Sequence, residues 1–178
     1  MKMIFIFIFV LFSIALSACV YSKAISDKKN YLDFNSINFE GKSYLLGNKY
    51  LDVNFSLKGI AKDEIGSCTT FSDIDNGISY TFNKKKLVEI LIKNENKSIY
   101  TSKKIRNGMN VKEIYKSYEG YEIKKMKSEG VGDSQDDFTY TVTDNLQKNN
   151  ILIFDVVHGE IQGMHAGKRG FDLSDCEE

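Results

Sequence analysis

The sequence predicts an α+β fold that is mainly antiparallel β-sheet, with one short helix at about residues 110–118 packed on the sheet. Ten Tyr and twelve Phe, beside many Val and Thr, favour strands. Several segments alternate between apolar and polar residues, which is the period of a strand with one buried face. One segment instead has apolar residues three and four positions apart, which is the period of a helix.

We expect three regions along the chain: a signal peptide at 1–18, a lipidated tether at 19–47 and a single domain at 48–178. Lys2 is followed by an apolar run from Met3 to Leu16 that only Ser13 interrupts. This run has about 14 residues, and a bilayer core needs about 20. It is therefore typical of a cleaved export signal. The alternative is a permanent transmembrane helix.

The end of the apolar run, Leu16-Ser17-Ala18-Cys19, resembles the lipobox of bacterial lipoproteins. The resemblance implies cleavage before Cys19 and acylation of its thiol and new amine. Two or three acyl chains anchor a protein durably, whereas one chain binds only marginally. Val20, rather than Asp, follows the Cys, which by the same resemblance implies the outer membrane, facing the periplasm. The alternative is a secreted protein that is cut near Cys19 without lipidation.

The first part of the mature chain is expected to be a tether. Residues 20–47 are rich in Lys, Ser, Asn and Asp and have no sustained periodicity. The alternative is that Tyr31, Leu32 and Phe34 begin a small packed element. Residues 50–58 then alternate between apolar and polar residues, which predicts the first strand. Residues 60–76 are expected to be a loop.

Two segments of similar length are predicted to be hairpins. Ile78–Phe82 and Leu87–Lys93 flank a lysine-rich turn. Ile151–Val157 is apolar almost throughout, which predicts a central strand covered on both faces, and the chain returns after a turn at His158-Gly159. We interpret the two hairpins as an internal duplication. The alternative is that the hairpins of any meander look alike.

The helix is predicted from its cap and its apolar stripe. Asn110 is a favourable N-cap, and Glu113 stands at the third helical position, as in a capping box. Val111, Ile114, Tyr115 and Tyr118 fall on one face. Further strands are expected at 98–101, 121–127 and 138–142.

The segment Tyr100–Gly120 combines a Thr, a Gly and a capped helix, and strands and a Cys-bearing tail follow it. It resembles small Gram-negative lipoproteins. Similar helix-to-hairpin units occur in the small lipoprotein of the outer-membrane barrel-assembly machine and in β-lactamase-inhibitor-type domains. The resemblance implies a protein that binds other proteins. These families have no catalytic residues that could be matched to positions of this chain.

Three cysteines remain, of which lipidation uses Cys19. Cys68 and Cys176 are then an even pair in an oxidising compartment, which predicts a disulfide that pins the C-terminal tail to residues 66–70. Closing so long a loop would stabilise the fold by roughly 3–5 kcal/mol. The alternative is free or metal-bound thiols, although the spacing is unlike that of a zinc site.

Few residues suggest catalysis. The two histidines, His158 and His165, would approach each other if they lay on opposing strands, and Glu160 or Asp155 would then complete a weak metal site. We adopt the alternative, in which His158 lies in a turn and His165 is an exposed residue of a strand. The acidic runs 73–77 and 132–137 are expected to be solvated turns rather than calcium loops. No Ser or Cys lies in a sequence motif typical of a nucleophile that is activated by a general base. We therefore expect no enzyme, no catalytic residue, no metal and no cofactor.

Charge narrows the class of partner. The mature chain has 23 basic residues (24 minus Lys2) and 24 acidic ones, so it has no basic excess for nucleic acid. We expect a lipid-anchored, non-enzymatic protein-binding module, inhibitor- or immunity-like or an assembly accessory. Its partner would be another envelope or secreted protein. The alternative is a lipoprotein that binds a small molecule, a glycan or a lipid.

Overall fold

A computed structural model describes residues 30–50, 59–128, 137–146, 149–171 and 173–177. The expected signal peptide, Cys19 and nearly all of the strand expected at 50–58 lie outside these ranges, as does most of the acidic run 132–137. These expectations therefore stay predictions.

The described residues form twelve strands, one α-helix and one 3-10 helix. The strands are β1 Tyr31–Asp33, β2 Ser36–Phe39, β3 Lys42–Leu45, β4 Ile60–Ile65, β5 Cys68–Asp73, β6 Ile78–Asn83, β7 Lys86–Ile92, β8 Tyr100–Thr101, β9 Glu122–Lys127, β10 Phe138–Thr143, β11 Asn150–Val157 and β12 Glu160–Lys168. The α-helix, α1, spans Lys112–Ser117, and the 3-10 helix spans Leu173–Cys176.

The strands are arranged in two sheets. The larger has eight strands in the order β4-β5-β6-β7-β12-β11-β10-β9, and every neighbouring pair is antiparallel. The smaller has the order β3-β2-β1-β8, in which only β1 and β8 run parallel. The prediction of a mainly antiparallel sheet with one short helix is confirmed.

One face of the eight-stranded sheet, here called the inner face, carries the core. Its buried residues include Tyr80, Phe82, Ile90, Leu152, Phe154 and Met164. The helix packs on it, since the Tyr118 ring lies 5.8 Å from that of Phe154. The smaller sheet packs on it as well, since the Tyr44 ring lies 5.2 Å from that of Tyr80. The helix and the smaller sheet therefore share one core with the large sheet.

The helix begins slightly later than the sequence predicts. Its regular part starts at Lys112, and the side chain of Asn110 accepts the Lys112 N–H at 3.0 Å, so Asn110 satisfies a donor that the helix leaves free. Oε2 of Glu113 lies 3.8 Å from the ammonium nitrogen of Lys116, one turn later in the helix. Ile114 is fully buried, and it and Tyr118 connect the helix to the core. Packing therefore supports a helix too short to be stable alone.

The structure corrects the expected end of the tether. Residues 31–45 form β1, β2 and β3, and the side chains of Leu32 and Ile37 are fully buried. The alternative interpretation, that Tyr31, Leu32 and Phe34 begin a packed element, is the one that fits. These strands have three or four residues each, which is too short to show a period.

The expected loop at 60–76 is also wrong, because it contains β4 and β5. Five of the six residues of β4 are exposed, so no alternation marks it as a strand.

The expectation that β11 is covered on both faces needs a correction too. Leu152, Phe154 and Val156 are buried, whereas the residues between them are only partly buried.

The hairpins β6–β7 and β11–β12 share their turn and their irregularity. Both turn residues have positive φ in each case, 47° and 64° at Lys84-Lys85 and 50° and 81° at His158-Gly159. In each hairpin the register shifts once near the turn, between Thr81 and Phe82 and between Asp155 and Val156. Both predicted hairpins are confirmed, and their turns and bulges match.

A short segment also lies beside the start of each returning strand. Gly47–Tyr50 pairs with the start of β7, where the Gly47 N–H donates to the Leu87 carbonyl at 2.7 Å. Gly108–Val111 pairs with the start of β12, where the Gly108 N–H donates to the Ile161 carbonyl at 2.7 Å. The flanking segments of the two hairpins are therefore arranged alike.

Candidate functional site on the outer sheet face

The opposite face of the eight-stranded sheet, here called the outer face, carries a mixture of apolar and polar side chains. The central row crosses all eight strands, from Ala61 through Ser72, Ser79, Leu91, His165, Ile153 and Thr141 to Lys124. Most members of the row are partly buried. The outer face thus presents a continuous surface with His165 near its centre.

His165 lies between two carboxylates. Its Nδ1 is 2.9 Å from Oε1 of Glu89 on β7, and its Nε2 is 2.7 Å from Oδ2 of Asp155 on β11. The side chain of His165 is only 17% exposed. Thr139 donates its hydroxyl proton to Oδ1 of Asp155 at 3.4 Å. The cluster therefore ties the three central strands together on the outer face.

One glycine of β12, Gly163, makes room for this geometry. Asp155 lies directly opposite Gly163, so its carboxylate leans across this glycine to reach His165 on the diagonal. A Cβ added at Gly163 would lie 2.9 Å from Oδ2 of Asp155. The glycine is thus required by the approach of that carboxylate.

The two carboxylates control the protonation of His165. Burial alone would lower the pKa of His165, but the hydrogen bonds and charges of Asp155 and Glu89 outweigh it and raise the pKa to about 9. Burial opposes ionisation of Asp155, yet its hydrogen bond to His165 keeps the pKa of that carboxyl below its ordinary value. At neutral pH the cluster is therefore an imidazolium between two carboxylates.

Two hydroxyl pairs lie toward β5, in which the β5 members, Thr70 and Ser72, are partly exposed and the β6 members, Thr81 and Ser79, are buried. The Ser72 and Ser79 hydroxyls lie 2.9 Å apart, and those of Thr70 and Thr81 lie 3.3 Å apart. Leu91 and Ile153 flank His165 with partly buried apolar side chains. The outer face can therefore offer hydrogen bonds, charge and apolar contact to a partner.

The structure does not bring His158 and His165 together. His158 is an exposed residue in the β11–β12 turn, as expected. The expectation of an exposed strand His is wrong for His165, which is mostly buried and pairs with Ile153 well inside the sheet. Asp155, proposed as a partner in the sequence analysis, does contact His165, and Glu160 lies beside the turn with His158. Within the described ranges, no group of three or more His, Cys, Asp or Glu side chains is arranged to hold a metal ion.

Sequence reasoning missed Glu89 as a member of the cluster. Glu89 and His165 are 76 residues apart, and only the pairing of β7 with β12 joins them. A signal does exist in the sequence, because Glu89 is the only acidic residue of β7 and Asp155 is the only charged residue of β11, and both strands are otherwise mainly apolar. Such a charge on a central strand needs a partner.

Cys68 and Cys176, which the sequence analysis pairs, form a disulfide in the structure. Cys176 belongs to the 3-10 helix, and its carbonyl accepts the Ser67 N–H at 2.6 Å. Gly66 permits this contact, since its φ is 52° and an added Cβ would lie 1.9 Å from the Cys176 carbonyl oxygen. The tail is thus held at the β4–β5 turn.

The acidic run 73–77 is a turn closed by its own side chains. Oδ1 of Asp73 accepts the Asn76 N–H at 3.1 Å, and Oδ2 accepts the Asn76 side-chain amide at 2.9 Å. Both carboxylate oxygens of Asp73 therefore already have partners within the turn.

A concave feature lies beside the smaller sheet. It is a cavity of about 780 Å³ beside β1 and β8, and its lining includes Asn30, Tyr31, Asp33, Tyr100, Thr101 and Lys104. Two of the lining residues are tyrosines, and the others are polar or charged. The cavity is separate from the outer face, because it belongs to the other sheet.

None of the helices in the described part of the chain is long and apolar enough to span a bilayer. In comparisons with known proteins, no family model, curated protein or solved structure matches this chain.

Proposed function

We propose that this chain is a lipid-anchored, non-enzymatic protein-binding module of a bacterial cell envelope. Its leader would end at Ala18, and acylation of Cys19 would hold the domain at the outer membrane, facing the periplasm. The lipobox-like sequence that ends at Cys19 supports this anchor. The partner would be another envelope or secreted protein, in an inhibitor-like, immunity-like or assembly role, and no nucleic acid would be bound.

The observation that carries the proposal is the outer face. Eight strands about 4.8 Å apart give a surface about 34 Å wide. That width suits the roughly 800 Å² that each partner buries in a standard protein interface. Leu91 and Ile153 supply apolar contact around the polar centre at His165. Such a mixture of apolar and hydrogen-bonding groups is typical of protein interfaces.

The hydrogen bonds of His165 support a binding role over catalysis. Both of its ring nitrogens are engaged by carboxylates, at 2.9 Å and 2.7 Å. A histidine that acts as a general base needs one free nitrogen near the group that it deprotonates. The cluster is better suited to fixing the charge and shape of a surface.

The proposal includes an α+β architecture built from two copies of one unit. In each copy, a short segment leads to a four-stranded meander, β4–β7 in the first and β9–β12 in the second. The matched turns, bulges and flanking segments of the two hairpins support this duplication. The last strands of the copies, β7 and β12, pair with each other. The outer face would then combine both copies into one binding surface.

A capture experiment tests the proposal. The acylated chain is used to isolate envelope proteins, and the captured protein is purified and titrated against the chain by calorimetry. Thr141→Arg places a long charged side chain on the outer face and should weaken binding at least tenfold, with little change in melting temperature. Ser43→Arg, at an exposed position of β3, is the control and should bind normally. No saturable partner, or equal binding by both variants, would reject the proposal.

The alternative function is binding of a small molecule, a glycan or a lipid. The cavity beside β1 and β8 favours it, because Tyr31 and Tyr100 lie side by side there with polar neighbours. Native mass spectrometry of the purified chain tests it. A co-purified ligand that is lost in Tyr100→Ala would favour this alternative. A measured mass equal to that of the chain without any bound molecule would count against it.

A further inference from the structure

The chain enters the described domain beside β8. The Asn30 carbonyl accepts the Tyr100 N–H at 3.4 Å, and Tyr31 pairs with Tyr100 in the smaller sheet. Asn30 is 11 residues beyond Cys19 (30 minus 19). Eleven extended residues span at most about 40 Å. If Cys19 carries the anchor, the point where the chain enters the domain beside β8 is therefore held within about 40 Å of the membrane.

The surface around β8 is basic. The segment Lys97–Arg106 has four basic residues and no acidic one. Lys97, Lys103 and Lys104 are exposed, and Arg106 is partly buried. Asp33, which accepts the Ser102 hydroxyl proton at 3.2 Å, offsets only part of this charge. We call Lys97, Tyr100, Lys103, Lys104 and Arg106 the entry surface.

Aromatic rings accompany the basic side chains. Tyr100 is 42% exposed, and the Arg106 guanidinium lies 5.9 Å from the centre of its ring. The Lys103 ammonium lies 5.5 Å from the centre of the Tyr121 ring. Tyr residues favour the membrane–water interface, where one end of the ring is apolar and the other is hydrated. Exposed Tyr beside Lys and Arg is thus suited to a lipid surface.

We infer that the entry surface docks on anionic lipid headgroups of the leaflet that holds the acyl anchor. Each basic side chain near an anionic leaflet contributes a factor of about five in affinity. Tethering makes the contact intramolecular, so even a weak attraction is populated. The consequence is a domain of fixed orientation on the membrane. This inference rests on the acylation of Cys19 in the proposed function.

The test is amide hydrogen exchange of the acylated chain on two kinds of vesicle. One is phosphatidylcholine alone, and the other is phosphatidylcholine mixed with phosphatidylglycerol. Exchange at residues 100–106 should slow only on the anionic vesicles, and high salt should remove the effect. Reversing Lys97, Lys103 and Lys104 to Glu should lower the docked population on the order of 100-fold or more. The matched control is a variant with the same number of charge reversals at and beside the β6–β7 turn, at Lys84, Lys85 and Lys86. This variant should dock normally.

The outcomes separate this inference from the proposed function. A mass that shows no acyl chains on the purified protein would overturn the anchor, and the docking inference with it. An acylated chain whose exchange is the same on both vesicles would overturn the docking inference alone. Loss of protection in the control variant as well as in the entry-surface variant would also overturn it.

Discussion

At the residue scale, His165 is the group with the clearest electrostatic role. Its folded pKa of about 9 is above the ordinary value of 6.5, because Asp155 and Glu89 stabilise the imidazolium against the cost of burial. A raised pKa of this kind adds stability that is complete below about pH 6.5 and is lost as the pH rises through about 9. The added stability is on the order of 3 kcal/mol.

Replacing His165 tests this role. His165→Gln leaves Glu89 facing Asp155 without the cation, so the free energy of unfolding should fall by about 2–4 kcal/mol at neutral pH. Urea denaturation is carried out below pH 6.5 and above pH 9. The free energy of unfolding of the wild type should exceed that of the variant by less at the higher pH. His158→Asn, in the exposed turn, is the control and should change stability little. A difference that is independent of pH would contradict the role.

A second prediction at this scale concerns Gly163. In Gly163→Ala the new Cβ displaces the Asp155 carboxylate, which is the mobile end of a side chain, and breaks its bond to His165. The expected loss is about 1–2 kcal/mol. The pKa of His165 should fall toward its ordinary value, as measured by NMR titration of the imidazole. A variant that is less stable but keeps the raised pKa would show that the glycine does not position Asp155.

At the scale of elements, sequence reasoning succeeds where the apolar residues repeat with a clear period or form a continuous run. Strands β6 and β10 and the helix α1 were predictable because their apolar side chains repeat with a clear period, and β7 and β11 because each is a mostly apolar run of strand length. The strand β4 was missed because an edge strand that is exposed along its length has no such period. The short strands β1, β2 and β3 were missed because the core that orders them comes from distant residues.

The turn Lys84-Lys85 gives a prediction at this scale. Both residues have positive φ, a conformation that Asn and Gly adopt at less cost than Lys. The double substitution Lys84→Asn and Lys85→Gly should therefore raise the free energy of unfolding by about 0.5–1 kcal/mol. Lys86→Gly removes a similar charge from a strand position and should lower stability instead. Thermal unfolding of the two variants decides between these directions.

At the scale of the whole molecule, the disulfide joins the start of β5 to the C-terminal 3-10 helix. Cys68 and Cys176 are 108 residues apart, so the loop that they close is long. Replacing both by Ala should lower the free energy of unfolding by about 3–5 kcal/mol, measured by urea denaturation. The variant should be insensitive to a thiol reductant that destabilises the wild type. A wild type unaffected by reduction would show that the bond adds no stability.

The candidate site was only partly predictable, for reasons that also belong to this scale. His165 and Asp155 lie on strands that follow one another, so the sequence could place them near each other. Glu89 reaches them only because β7 and β12 meet at the centre of the sheet. That pairing depends on the complete topology, which no local pattern in the sequence specifies.

The outer face of the eight-stranded sheet is proposed to bind a protein. Site-specific photo-crosslinking in living cells tests this claim most directly, with the photoreactive residue at Leu91 or Ile153 on the outer face, or at exposed Lys112 on α1. We predict one defined envelope or secreted protein joined to Leu91 and Ile153 but not to Lys112. Crosslinks to that protein from Lys112 alone, or no protein joined to either outer-face position, would contradict the claim.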